Sequence, residues 1–154
     1  MTDVANALGK EIRSHGKIAS AAVFASPEES KKLVRQDWAN FRNFDVLFPM
    51  IYHRFYNWPD EMVGTATRQG VRALERNDNP ASLCSGLFVG HVPKQRISEF
   101  FDDARDNGST GICLFPRKRL TKHGGTGGLC EKRSGNSESS VLPFPERSAQ
   151  RSSP

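Results

Sequence analysis

Five residues within seven positions carry the richest chemistry in this chain of 154 residues: Tyr52, His53, Phe55, Tyr56 and Trp58. Flat aromatic faces can stack on the apolar side of a ring-shaped ligand, and a Tyr hydroxyl can reach its polar edge. A His can hydrogen-bond hydroxyls or move a proton near neutral pH. The combination suits a polar ligand with an apolar face, such as a sugar ring. Tyr52 and His53 are the candidates for bonding substrate hydroxyls or a carboxylate. Phe55, Tyr56 and Trp58 are the candidates for stacking, and His91 is a further candidate at the rim of the same site. His15 and His123 have no chemical constellation around them in the sequence.

Carboxylates are the other chemistry to look for. Hydrolysis of a glycosidic bond normally needs two, flanking the bond. Glu28, Glu29, Asp60 and Glu61 are the acids nearest the same loops. All four are predicted in the first turn of a helix, where the helix dipole favours an acid regardless of catalysis. Asp37 sits on an otherwise apolar stripe and is read as a structural hydrogen-bonding residue. The catalytic residues are therefore unknown from sequence.

These candidates need a frame. Asp45 to Trp58 begins as a short apolar run, like a buried parallel strand, and ends in the aromatic cluster. In parallel α/β folds the loops after the carboxyl ends of the strands build the ligand site. Strands are predicted near 17–24, 46–52, 82–89 and 110–115. Helices are predicted between them. The first, over 3–14, carries Val4, Leu8 and Ile12 at four-residue spacing and closes at Gly16. Ser26-Pro27-Glu28-Glu29 reads as a helix start with a capping box, leading to Leu33, Val34, Asp37, Trp38 and Phe41 on one face. Trp58-Pro59-Asp60 opens the next helix. Pro93 opens another, with Ile97, Phe100, Phe101 and Ala104 in helical period. Alternating strands and helices imply right-handed crossovers and a parallel sheet in sequential order, with helices on one face.

The chain divides by composition. Residues 1–116 hold the periodic apolar segments and balance 14 basic against 14 acidic residues. Residues 117–154 are rich in Gly, Ser and Pro and hold eight Lys and Arg against three Glu, which accounts for the net +5 of the whole. That tail is expected to be disordered. It lacks the aromatic interleaving of a nucleic-acid binder, so no nucleic-acid partner is expected. Gly124 to Gly128 has no strand before it and no helix after it, so it reads as linker and not as a phosphate loop. Cys84, Cys113 and Cys130 form neither a disulfide framework nor a zinc pattern, and no metal or cofactor is expected. The N-terminus lacks a signal-like apolar stretch and no run is long enough to span a membrane, so a cytoplasmic location with no membrane contact is expected.

Several blocks together resemble a known group. Ile18-Ala19-Ser20-Ala21-Ala22-Val23-Phe24, Arg35-Gln36-Asp37-Trp38 and Phe48-Pro49-Met50-Ile51-Tyr52-His53 resemble bacterial glycoside-hydrolase-like TIM-barrel proteins, most of them hypothetical. Ser85-Gly86-Leu87-Phe88-Val89 and Gly111-Ile112-Cys113-Leu114-Phe115 fit the last two strands of that family. The resemblance covers roughly residues 3–115. It implies a partial (β/α)8 TIM barrel, residues 1–116 forming strands five to eight, followed by the tail 117–154. The family's acidic motif on the fourth strand would lie upstream of Met1. Where an acid often follows the last-strand Phe, Phe115 is followed by Pro116-Arg117-Lys118, as after a truncation or frameshift. The resemblance implies a carbohydrate ligand and a chain that carries part of a substrate site without being catalytic alone. The alternative is a non-catalytic remnant or a half-barrel that pairs with a partner polypeptide. Open edges at 17–24 and 110–115 and an uncovered concave face would then drive self-association or pairing with a complementary half.

Overall fold

The computed structural model describes residues 1–115 and the backbone of Val141–Pro143. Four short strands follow the predicted order: β1 Ser20–Phe24, β2 Val46–Met50, β3 Ser82–Phe88 and β4 Gly111–Phe115. They pair in parallel and in sequence, with Ser20 opposite Val46, Val46 opposite Ser82 and Cys84 opposite Gly111. Helices α1 Thr2–Ser14, α2 Pro27–Val34, α3 Met62–Arg76 and α4 Ile97–Asp106 precede or connect them. This is an α/β fold with a parallel sheet.

Strand alternation places the helix layer. Ala19, Val23, Leu47 and Leu83 are buried together with Trp38, Phe41, Phe44 and Leu74. Ile51, Leu87 and Ile112 are buried with Val63, Ala66, Phe100 and Ala104. Both clusters take their sheet residues from one face, so the helices lie on that face, as predicted. Each fully buried Leu or Ile contributes about 1.5–3 kcal/mol. On the other face the alternate residues of β1 and β2, among them Ser20, Ala22, Phe24, Phe48 and Met50, are only partly buried or exposed, whereas Cys84, Gly86 and Cys113 of β3 and β4 are buried.

The helix after β1 departs from its predicted length. Ser26 caps it, its side chain accepting from the Glu29 N–H, and Pro27 opens it. It stops at Val34 because Arg35 turns left-handed, at φ 55°, and the Gln36 N–H bonds back to Ser30 O. Trp38 therefore reaches the core from a separate 3-10 turn, Trp38–Asn40, and not from α2. Asp37 precedes that turn, accepting from Asn40 Nδ2 at 3.1 Å and pairing with Lys31 Nζ at 2.8 Å. It is a structural residue, as read, but in a loop.

Helix α1 also differs from expectation. Its buried residue is Gly9, and a Cβ there would meet Asn43 O at 2.5 Å. Val4 and Leu8 are 65% and 59% exposed. The predicted apolar stripe exists but nothing among the described residues covers it.

Helices α3 and α4 are joined by a side-chain cap. Asp103 Oδ2 accepts from the Gly64 N–H at 2.8 Å, satisfying a donor that α3 itself leaves free. Asn107 Nδ2 donates to Asp103 Oδ1 at 3.1 Å and to the Asp103 carbonyl at 2.7 Å. Between α3 and the sheet runs a buried hydroxyl chain. Thr67 Oγ1 is 2.8 Å from Ser85 Oγ, Ser85 Oγ donates to Ser109 Oγ at 3.1 Å, and Ser109 Oγ donates to Gly111 O at 2.7 Å.

A fifth strand was not foreseen. β5, Val141–Pro143, pairs antiparallel with β4, Ile112 facing Leu142. The β4 edge is therefore occupied, contrary to the expectation of two open edges. The rest of the predicted tail lies outside the described residues.

Candidate functional site

The carboxyl ends of the strands carry two separate groups of the predicted residues. The first is an aromatic rim. Tyr52 packs at ring-centroid distances of 5.9 Å from Phe55, 5.6 Å from Phe88 and 5.5 Å from Phe115. His91 closes the rim at 4.5 Å from Phe55 and 4.8 Å from Phe88. Register explains the meeting: Phe88 and Phe115 face each other at the ends of β3 and β4, and Tyr52 leaves the neighbouring strand. Burial, with smaller effects from Cys113 and Tyr56, pushes the Tyr52 phenol up to about 12, so it stays a hydrogen-bond donor at all ordinary pH. Phe55 is the outermost ring, 63% exposed.

His53 does not join this rim surface. It is 1% exposed, turned inward against Phe100 at 5.5 Å and edge-on to His91 at 5.7 Å. Its Nε2 lies 3.1 Å from Asp60 Oδ1, but the carboxylate sits off the N–H direction, so the two are close without an aligned hydrogen bond. Burial lowers the His53 pKa, and Asp60 only partly opposes that. Asp60 Oδ2 accepts from Arg96 Nη1 at 2.6 Å, and Arg96 Nε donates to Glu99 at 2.7 Å. Glu99 first, and Asp60 after it, hold the Arg96 guanidinium above its usual pKa. Asp60 and Glu61 are not in the first turn of a helix as predicted. α3 begins at Met62, and Asp60 stands in the turn before it, with its carboxylate committed to His53 and Arg96.

The second group is Tyr56 and Trp58. Their rings stack on each other at 4.7 Å and 29°. They point toward α2, away from the rim. Together they border an apolar recess of about 120 Å³ with Phe24, Leu33 and Val34. Trp58 also borders a cleft of about 380 Å³ whose polar wall is Glu28, Glu29, Gln69, Arg72 and Arg76. Burial, followed by the Glu29 charge, raises the Tyr56 pKa.

Glu28 and Glu29 are in the first turn of α2, as predicted, and they also line this cleft. Sequence reading assigned them to the helix dipole alone. It passed over Gln69, Arg72 and Arg76, although their spacing of three and four residues marks one face of a helix. Among the described residues, no group of three or more His, Cys, Asp or Glu is placed to hold a metal ion. No helix among them is long and apolar enough to cross a membrane. Set against protein-family models, curated proteins and solved structures, the chain matches none.

Proposed function

We propose that this chain is a carbohydrate-binding α/β unit of the glycoside-hydrolase-like barrel type, holding part of a substrate site and not cleaving glycosidic bonds alone. The stacked Tyr56–Trp58 pair beside a polar cleft carries the reading. A sugar offers an apolar C–H face and a polar hydroxyl rim. Trp58 can take the face while Glu28, Glu29, Gln69 and Arg72 bond the rim. The cleft opens beside Ser26 and Pro27, just past the carboxyl end of β1 where ligand sites of parallel α/β folds gather, and runs along α3 from Met62 to Arg76.

The same geometry argues against catalysis by this chain. Two carboxyls must flank the scissile bond, one on each side. Glu28 and Glu29 are consecutive on one helix turn, so they diverge by about 100° and share one wall. Asp60 is already held by Arg96 and turned against the buried His53.

The test is an NMR titration of the full chain with neutral oligosaccharides of several linkages. Shifts should concentrate at the Trp58 indole, Gln69 and Arg72, and Trp58→Ala should weaken binding about tenfold or more. Absence of shifts at millimolar sugar would overturn the ligand. Turnover of an aryl glycoside that disappears in Glu28→Gln would overturn the non-catalytic assignment.

A further inference from the structure

The exposed apolar side chains are unevenly distributed. Met1, Val4, Leu8, Ile12, Ile18, Phe24, Leu33 and Val34 are all exposed, and all belong to α1, β1, α2 or the turns between them. Among the described residues only three other large apolar side chains are exposed. The crowded region surrounds one end of the sheet, the edge of β1 that no described strand covers.

The orientation of α1 follows from its bonds. Asn6 and Arg13 lie on one flank of the helix. Asn6 bonds Asn40 and Asn43, and Arg13 approaches Asp45 at 3.6 Å, so that flank faces the entry to β2. Val4, Leu8 and Ile12 occupy the opposite flank by the helical period, hence the side of the open edge. Beside the stripe, His15 Nε2 and Glu11 Oε1 hydrogen-bond each other at 3.0 Å.

The edge is almost unguarded. Ala19 N–H bonds Asp45, on the β2 side. Alternation then turns the N–H and C=O groups of Ser20, Ala22 and Phe24 outward. Gln36 Oε1 accepts from the Phe24 N–H at 2.9 Å. Ser20-Ala21-Ala22-Val23-Phe24 contains no charge and no proline, the usual guards of an edge strand.

We propose that the chain forms a two-fold dimer with a second copy of itself, β1 pairing antiparallel with β1 and the α1 stripes meeting beside it. An axis perpendicular to the sheet keeps both helix layers on one side. Eight large apolar side chains and a strand edge supply a surface on the order of the ~800 Å² per partner of a standard interface. Because both copies offer the same edge, the contact is isologous and association through it closes at two copies.

The test is sedimentation of the full chain at micromolar concentrations. A dimer is expected. Leu8→Glu, on the stripe, and Ala22→Pro, which removes an outward N–H and no bond to β2, should each raise the dissociation constant about tenfold or more. Both should keep the far-ultraviolet circular dichroism of the parent. If either misfolds, amide exchange of the parent decides: Ser20 and Ala22 should be protected in the concentrated sample and exchange faster on dilution. A monomer at tens of micromolar overturns the proposal. So do open-ended oligomers, a dimer indifferent to folded variants, or exchange at Ser20 and Ala22 that ignores dilution.

Discussion

His53 and Asp60 stand 3.1 Å apart, ring nitrogen to carboxylate oxygen, and still the histidine is held toward its neutral form. The ring is almost wholly buried, so desolvation of the imidazolium outweighs a single carboxylate that Arg96 also claims.

A pH dependence follows. The folded His53 pKa is below 6.5, so acidification protonates the unfolded chain first. The stability contributed by neutral His53 is fully present above pH 6.5 and is lost as the pH falls from there toward the lowered folded value. Asp60→Asn removes the carboxylate that raises the pKa and should lower it further. An NMR titration of the His53 ring tests both statements. A midpoint at or above 6.5 in the parent, or a rise in Asp60→Asn, contradicts them.

Gly64 and Asp103 should be coupled. A Cβ on Gly64 would lie 2.1 Å from Asp103 Oδ1, so Gly64→Ala must displace the carboxylate that caps α3. The expected loss is about 1–2 kcal/mol. In an Asp103→Ala background the cap is already gone and so is the collision with its carboxylate, leaving only the end of the flexible Asn107 side chain, 2.6 Å from the added Cβ, to move aside. There Gly64→Ala should be neutral or stabilising by up to about 1 kcal/mol, since Ala is the better helix former. Urea unfolding of the four proteins measures the coupling, and simple additivity would refute the cap.

Ser109→Ala should cost more than its size suggests. Ser109 Oγ accepts from the Ser85 N–H and from Ser85 Oγ, and donates to Gly111 O. Removing it strands buried groups on two strands, at about 1–3 kcal/mol. Exposed Ser14→Ala, whose hydroxyl only bonds Glu11 O, should change stability by less than about 0.5 kcal/mol. Equal effects in thermal melts would show that the buried chain carries no stability.

The parts of this fold legible in the sequence are the local ones. Ser26-Pro27 announces its helix because capping involves neighbours in the chain. The four parallel strands are legible because each is a short apolar run between turn residues. The end of α2 was not, since Arg35 turns left-handed without a glycine to mark it. The period of Val4, Leu8 and Ile12 says that one face is apolar and says nothing of what covers it. The Asp103–Gly64 cap joins residues 39 apart and leaves no pattern. Of the site, Tyr52, Phe55 and His91 do converge. His53 turns inward because it keeps the parity of the buried Leu47, Pro49 and Ile51, while Tyr52 keeps that of Phe48 and Met50; the 3-10 turn His53–Tyr56 then leads Tyr56 and Trp58 toward α2.

The sequential strand order sets an order of assembly. β2, β3 and β4 each pair with the strand before them, every pairing closing a stretch of only a few tens of residues. No strand among these four has to wait for one made after its neighbour, so the sheet can grow in the direction of synthesis. β5 breaks the rhythm by running back along β4 from further down the chain. It is the natural last step, and until it arrives the five-residue edge of β4 stands open.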